Sequence, residues 1–402
     1  MDRRDFVRGA GALGSLGLLP GAASLAGEPS GSGEGTGVAS RDAMLGLLDT
    51  LRELQDTYLT PRYGISRPAD IAEGERMLAH LLHTGLQFFL EADPARPRFT
   101  PYVTPQRKLL GDNPDALYYF APIRGDRRYR IRGRLGGATF TSFTVEAGSG
   151  EGGAATASVA ELDDSRLEVA ADGSFEILLG GDRPATGNWM PLAPEAGQVT
   201  TRHYYETPAC IAADPHAGQE LDIEAVDPPP LAPWGGDAGI ASRLGRVANF
   251  VREHLALAVP DPASRPDIPW VSTTPNRFAA PGQWRSESGY GNLSAWYAMA
   301  PYVLRPGEAL EIRGRFPDCR FANVVLWNRF MQTFDYTRRQ VSFNRNQLQY
   351  EDDGSFRLYV AHEDPGHANW LATEGRVSGL VYWRYLLLVT PPQAVTARVV
   401  SL

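Results

Sequence analysis

Four sequence anchors recur in the same order in the two halves of this 402-residue chain, and no other feature restricts its fold as strongly. The first is Tyr119-Phe120-Ala121-Pro122 followed by Tyr129-Arg130-Ile131-Arg132-Gly133-Arg134. It is answered by Tyr297-Ala298-Met299-Ala300-Pro301 and Leu310-Glu311-Ile312-Arg313-Gly314-Arg315. Next, Asp172-Gly173-Ser174-Phe175 is answered by Asp353-Gly354-Ser355-Phe356. The step from Ile131 to Gly173 is 42 residues, as is the step from Ile312 to Gly354. Asn188-Trp189 and Asn369-Trp370 follow, each Asn 15 residues after its Gly, and then Arg202-His203-Tyr204 and Arg384-Tyr385-Leu386. Ordered anchors at near-constant spacing imply one set of strands and turns used twice.

Local chemistry says what that unit is. Asp-Gly-Ser between apolar runs marks a hairpin-type turn, because Gly accepts a positive φ. Ile-Arg-Gly-Arg alternates, with Ile turned to a core and Arg to solvent. Strands are expected at about 117–124, 127–134, 137–147, 165–180 and 197–206, and again at about 295–303, 308–315, 319–328, 346–362 and 377–399. Amphipathic helices precede each set, over 71–90 and 240–257, and each ends at a Pro-rich turn. A further helix over 41–59 has no counterpart. Residues 148–158, mostly Gly, Ala and Ser, read as a loop with little to bury. The expected class is mainly β: two tandem β-sandwich or jelly-roll-like domains, each preceded by an amphipathic helix. The boundaries read as 41–210 for the first helical and β unit, 211–237 for a Pro-rich linker and 238–402 for the second unit.

The first 26 residues read as a targeting segment. Arg3-Arg4 stands before Phe6, a weakly apolar stretch runs from Gly9 to Leu19, and Ser24-Leu25-Ala26 is a small-x-small cleavage pattern. That order resembles a twin-arginine export signal, which implies a periplasmic or secreted protein. Residues 27–40 read as a flexible linker, and no later run is long and apolar enough to span a bilayer. A formal charge of −8 and the lack of a basic, aromatic-interleaved run argue against nucleic acid as a partner. Cys210 and Cys319 stand at non-equivalent places in the two copies, so a bridge would have to join the halves; two free thiols are the simpler expectation.

The segments Asn113-Pro114-Asp115-Ala116-Leu117-Tyr118-Tyr119 with Tyr129-Arg130-Ile131-Arg132-Gly133, and Asn369-Trp370-Leu371-Ala372-Thr373-Glu374-Gly375 with Trp383-Arg384-Tyr385-Leu386, resemble the bacterial family called domain of unknown function 1214, often found with a sister domain numbered 1254. The resemblance covers most of 110–210 and 290–390. It implies an all-β, jelly-roll-like fold and frequent export, and it brings no reaction with it.

Four groups of residues could carry chemistry. On the strand Thr201-Arg202-His203-Tyr204-Tyr205-Glu206, alternation sets Arg202, Tyr204 and Glu206 on one face. There Arg202 could anchor a carboxylate or a hydroxyl-rich ligand, with Tyr204 and Glu206 as catalytic acid and base; an ion-pair network bracing the sandwich would use the same residues, and Arg384 is the only one repeated in the second copy. The pairs Asn188-Trp189 and Asn369-Trp370, together with Arg384, could bind a ligand, with Trp as a platform and Asn bonding hydroxyls; core packing and turn capping are the competing roles. His362-Glu363-Asp364-Pro365-Gly366-His367 has metal-type donors but no fixed helical spacing, so a solvated turn is expected and no metal site is assigned. The stretch with Asn276, Arg277, Trp284, Arg285, Glu287 and Tyr290 is about 11 residues longer than its first-copy equivalent, and such insertions carry function or cover a joint. No nucleophile elbow, phosphate-binding loop or dinucleotide fingerprint is present, and no cofactor is indicated. The expectation is an exported protein that binds or hydrolyses a glycan or small organic molecule of the cell envelope. The alternative is a non-enzymatic envelope or assembly module.

Overall fold

A computed structural model describes residues 37–230, 235–263, 267–283 and 289–402. The export signal, residues 27–36 of the expected linker, and Trp284, Arg285 and Glu287 lie outside the described residues, and the end of that linker, Ala39 and Ser40, is helical.

Three helices form one layer: α1 (Ala39–Tyr58), α2 (Pro68–Gly85) and α3 (Gly236–Ala258). Pro68 starts α2, where a missing N–H costs nothing. The first N–H groups of α1, from Ala39 and Ser40, are both bonded by the Asp237 carboxylate at 2.8 Å. That bond ties α1 to the first turn of α3 and sets negative charge at a positive helix end. Leu47 and Leu54 of α1, Met77, Leu78 and Leu81 of α2, and Val247, Phe250, Val251 and Leu255 of α3 share one apolar core.

The first copy contributes β1 (Thr100–Pro101), β2 (Ala116–Pro122), β3 (Tyr129–Arg134), β4 (Phe140–Ala147), β5 (Ala157–Asp163), β6 (Ser174–Leu179), β7 (Asn188–Met190), β8 (Ala196–Tyr204) and β9 (Leu221–Ala225). The second contributes β10 (Gly282–Gln283), β11 (Ala295–Val303), β12 (Glu308–Gly314), β13 (Cys319–Trp327), β14 (Ser342–Asn344), β15 (Phe356–Ala361), β16 (Trp370–Ala372), β17 (Ser378–Leu388) and β18 (Thr396–Ser401). They form sheets in the orders β1-β2-β8-β4-β5 and β7-β6-β3-β9, then β10-β11-β17-β13-β14 and β16-β15-β12-β18. Adding nine to every strand of the first copy gives the second, so the duplication holds in topology. It holds in register too: Ile131 faces Ile177, and Ile312 faces Leu358. The Asp-Gly-Ser turns are equivalent, with Gly173 at φ +85° and Gly354 at φ +79° and each Asp carboxylate accepting the Ser N–H two residues on.

Each five-stranded sheet packs its inner face on its four-stranded partner. Ile131, Phe143, Ile177 and Val199 lie in the first core, and Ile312, Val324, Leu358 and Trp383 in the second. The outer faces of the two five-stranded sheets then meet each other, burying Phe140 and Tyr204 against Tyr297, Phe321, Trp327 and Tyr382. Pseudo-equivalent polar ties flank this joint. Asn323 donates to Asn113 and Asp115 across it, and Asn292, the counterpart of Asn113, donates to Ser142, the counterpart of Asn323.

Several expectations change in detail. The expected strand over 165–180 begins only at Ser174, because the chain turns after Asp163. The expected strand over 377–399 breaks after Leu388 at Pro391-Pro392 and resumes as β18. Segment 211–237 does more than link, since β9 within it pairs with β3 and completes the first four-stranded sheet. Residues 148–156 are not a loose loop. Ala154 and Ala155 are buried, Ala154 N–H bonds Glu253 of α3, and Gly152, at φ +84°, lies so close to the Arg246 backbone that a Cβ would come within 2.1 Å of its carbonyl oxygen. The small residues there are what allow the close approach. Both cysteines are free thiols.

Candidate functional site

Between the outer faces of the five-stranded sheets, under α3 and the segment 102–112, lies a cavity of about 90 Å³. It is the place where the duplicated strands bring their equivalents together. Tyr118 on β2 sits opposite Arg202 on β8, and Tyr297 on β11 sits opposite Arg384 on β17. All four line the cavity, with Tyr204, Tyr382, Trp327, His254 and Tyr290 among their neighbours. Both arginines are only 5 % exposed.

The two arginines differ in one decisive respect. Arg202 Nη1 donates to Thr144 Oγ1 at 2.7 Å, and its Nη2 donates to Glu146 Oε1 at 3.2 Å and to the Tyr290 carbonyl at 3.0 Å. Glu146 is fully buried and also accepts from Thr200 at 3.0 Å and from Gln198. Arg202 is thus a neutralised, braced group. Arg384 is held by rings instead: its guanidinium carbon is 5.5 Å from the Tyr204 ring centre, 5.7 Å from Tyr297 and 5.2 Å from Tyr382. Its Nε and Nη1 have no hydrogen-bond partner among the described residues. The acidic residue of the cavity wall, Asp112, is committed elsewhere, to the Thr333 N–H at 2.8 Å and to Lys108 Nζ at 3.6 Å. A guanidinium stays charged at any ordinary pH, and an unpaired buried charge costs several kcal/mol.

The remaining polar groups are neutral. Burial pushes the Tyr118, Tyr290 and Tyr382 phenols well above their usual range and Tyr297 to about 12. Burial also holds His254 down to about 4. Its Nδ1 lies 2.8 Å from the Phe250 carbonyl, which fixes the proton there and leaves Nε2 to accept from Tyr290 Oη at 2.6 Å. Tyr290 Oη in turn accepts the Ala155 N–H at 2.9 Å. Tyr290 holds this position at φ +64°, a strained conformation for a side chain of its size.

The residues singled out from sequence divide. Arg202, Tyr204 and Arg384 do meet in the cavity, and Tyr290 of the insertion joins them. Glu206 does not, because β8 ends at Tyr204 and strand alternation no longer governs where it points. It accepts both Arg345 Nε at 2.7 Å and Nη2 at 2.8 Å, clamping the first copy to the second. Asn188, Trp189, Asn369 and Trp370 lie at edges of the four-stranded sheets, on the other side of each sandwich. The two Asn carboxamides do the same work. Asn188 bonds the backbone of Glu168 and Glu176, and Asn369 bonds that of Gln349 and Arg357, through three hydrogen bonds of 2.7–3.0 Å in each case. Trp189 Nε1 bonds the Gly180 carbonyl and Trp370 Nε1 that of Ala361. His362 bonds Thr373 at 2.6 Å and His367 accepts the Asn369 N–H. Asn276 bonds the Val303 backbone in both directions, and Arg277 is exposed. Sequence reasoning missed Tyr118 and Tyr297. Their signal was present, since each lies five residues after the Asn that opens its copy, Asn113 or Asn292.

A family model described as "Protein of unknown function (DUF1214)" matches residues 120–208 and again 310–387. The chain is similar to that family over two stretches, one within each sandwich. A crystal structure of an uncharacterized protein from Burkholderia cenocepacia is similar at 29% identity and a TM-score of 0.78, over 90% of this chain and 98% of that one. The VPA0106 protein from Vibrio parahaemolyticus aligns at 10% identity and a TM-score of 0.46, over 81% of this chain and 98% of that one. No curated protein matches the sequence.

Proposed function

We propose that this protein is an exported binding protein for a small organic molecule of the cell envelope, held in the cavity between the two sandwiches. The observation that carries the reading is Arg384, a buried cation on the wall of a tyrosine-lined cavity, with no ion-pair partner among the described residues and with its Nε and Nη1 unbonded. A ligand that bonds this guanidinium gains a charge-assisted contact. The cavity volume of about 90 Å³ suits a small molecule and leaves no room for a sugar chain. Export is supported by the order of paired arginines, weakly apolar stretch and small-x-small pattern at the N-terminus.

A second reading, a non-enzymatic envelope module, has Arg202 on its side, since every contact of that residue braces the joint. Thermal-shift screening against a small-metabolite panel separates the two. The binding reading expects stabilising compounds whose effect disappears in Leu110→Trp, which fills the cavity from its wall. Shifts that survive Leu110→Trp, or none at all, favour the module.

A further inference from the structure

The two copies can be compared position by position around their arginines. In the first, Ser142 on β4 faces Arg202, followed at alternate positions by Thr144 and Glu146; across from these on β8 stand Thr200 and Gln198. In the second, Asn323 on β13 faces Arg384, followed by Val325 and Trp327; across from these on β17 stand Tyr382 and Leu380. The first copy surrounds its arginine with a carboxylate and three hydrogen-bonding neighbours. Asn323 stays polar where Ser142 stands, but at the four places equivalent to Thr144, Glu146, Thr200 and Gln198 the second copy has an apolar or aromatic group: Val325, Trp327, Tyr382 and Leu380. Trp327 stands where Glu146 stands, stacked on Tyr382 at 4.3 Å with its Nε1 bonded to the Asp112 carbonyl at 2.7 Å, so the indole is fixed.

We propose that the ligand is a short monocarboxylate whose carboxylate supplies to Arg384 the counter-charge that Glu146 supplies to Arg202. This rests on the reading of the cavity as a ligand site and names what fills it. One negative charge is specified by the charges on the wall. Arg202 is balanced by Glu146 and Lys108 by Asp112, which leaves the single charge of Arg384. A carboxylate fits because it carries a single negative charge and accepts a charge-assisted hydrogen bond from a guanidinium N–H. The body is apolar because Leu109, Leu110, Val103 and the ring faces of Trp327 and Tyr382 line the rest. The cavity of about 90 Å³ is smaller than the roughly 150 Å³ of a cavity that takes benzene, so the body is short, roughly two to four carbons. A benzoate ring, which needs a larger space, and a second carboxylate, which finds no cation, are both excluded on this reasoning.

The test is isothermal titration calorimetry of the purified chain with propionate, propionamide, succinate, benzoate, phosphate and chloride at constant ionic strength. Propionate is expected to bind one to one and at least tenfold tighter than each of the others. Arg384→Gln is expected to lose at least tenfold, and Leu110→Trp, which leaves Arg384 in place, to abolish binding by volume. Equal binding of propionamide, tighter binding of succinate, benzoate or phosphate, or a response to chloride alone overturns the monocarboxylate assignment. If one of those other compounds binds and Leu110→Trp abolishes it, the cavity remains a ligand site with a different occupant. If nothing in the panel binds in a manner sensitive to Leu110→Trp, both readings fall.

Discussion

Replacing each arginine by methionine should separate the two copies in stability. Both side chains are 5 % exposed and sit at equivalent places on β8 and β17, so packing losses are similar. The charges are not. Arg202→Met leaves Glu146, with no exposed side-chain surface, facing Thr200 and Gln198 alone. Removing one member of a buried ion pair costs about 3–5 kcal/mol, because the other charge stays behind without its partner. Arg384→Met removes a charge that has no carboxylate partner, and the loss of its contacts with the Tyr204, Tyr297 and Tyr382 rings offsets part of the relief; the expected change lies within about 2 kcal/mol of zero, well short of the Arg202→Met loss. Equilibrium unfolding in urea, without added organic acids, reads both from shifts in midpoint at constant slope. The double variant Arg202→Met/Glu146→Leu should recover most of the loss of the single one, since it removes both charges together. Equal losses for the two arginine variants would refute the asymmetry and the ligand reading drawn from it.

Asp115, fully buried between Asn323 and Asn344, has its carboxyl raised by burial to about 6. The folded state therefore binds this proton more tightly than the unfolded chain does, and the stability it lends is full below about pH 4 and lost as pH rises through about 6. Asp115→Asn should gain on wild type over that window by something on the order of 3 kcal/mol, and a pH-independent difference between the two would contradict it. Burial depresses His254 to about 4, as it does His80 and His203, the last to about 3. These groups make the fold lose stability as pH falls from about 6.5, and imidazole nitrogen NMR should show all three neutral at pH 5; a charged ring in that group would count against the buried assignments. Asn369→Ala removes three backbone bonds and should cost about 2–3 kcal/mol in urea while leaving cavity ligands with unchanged affinity. A loss of ligand affinity without a loss of stability would return the Asn-Trp pair to the binding site.

Much of this molecule was readable from its residues because a repeat is a second measurement of the same local rules. The Asp-Gly-Ser turns, the Ile-Arg-Gly-Arg strands and the three helices fall where spacing and periodicity put them. What spacing could not supply was which outer faces meet. Alternation rightly set Arg202 and Tyr204 together, but it was carried one step too far to Glu206, which lies past the strand end and answers to Arg345 in the other copy. The Asn-Trp pairs repeat because two sandwiches need the same edge fastened, so their recurrence reported construction. The distinction between Glu146 and Trp327 was in the sequence throughout, yet it acquires meaning only when the registers of β4 and β13 are aligned.

A site that straddles an axis relating two identical chains must carry each side chain in duplicate, so every cation there comes with its mirror image and every change is made twice over. Joining the two sandwiches in one polypeptide lifts that restriction. One half can keep its arginine permanently quenched as a girder while the other leaves its own expectant, and a lopsided occupant can be held where a symmetric assembly would accept only a symmetric one.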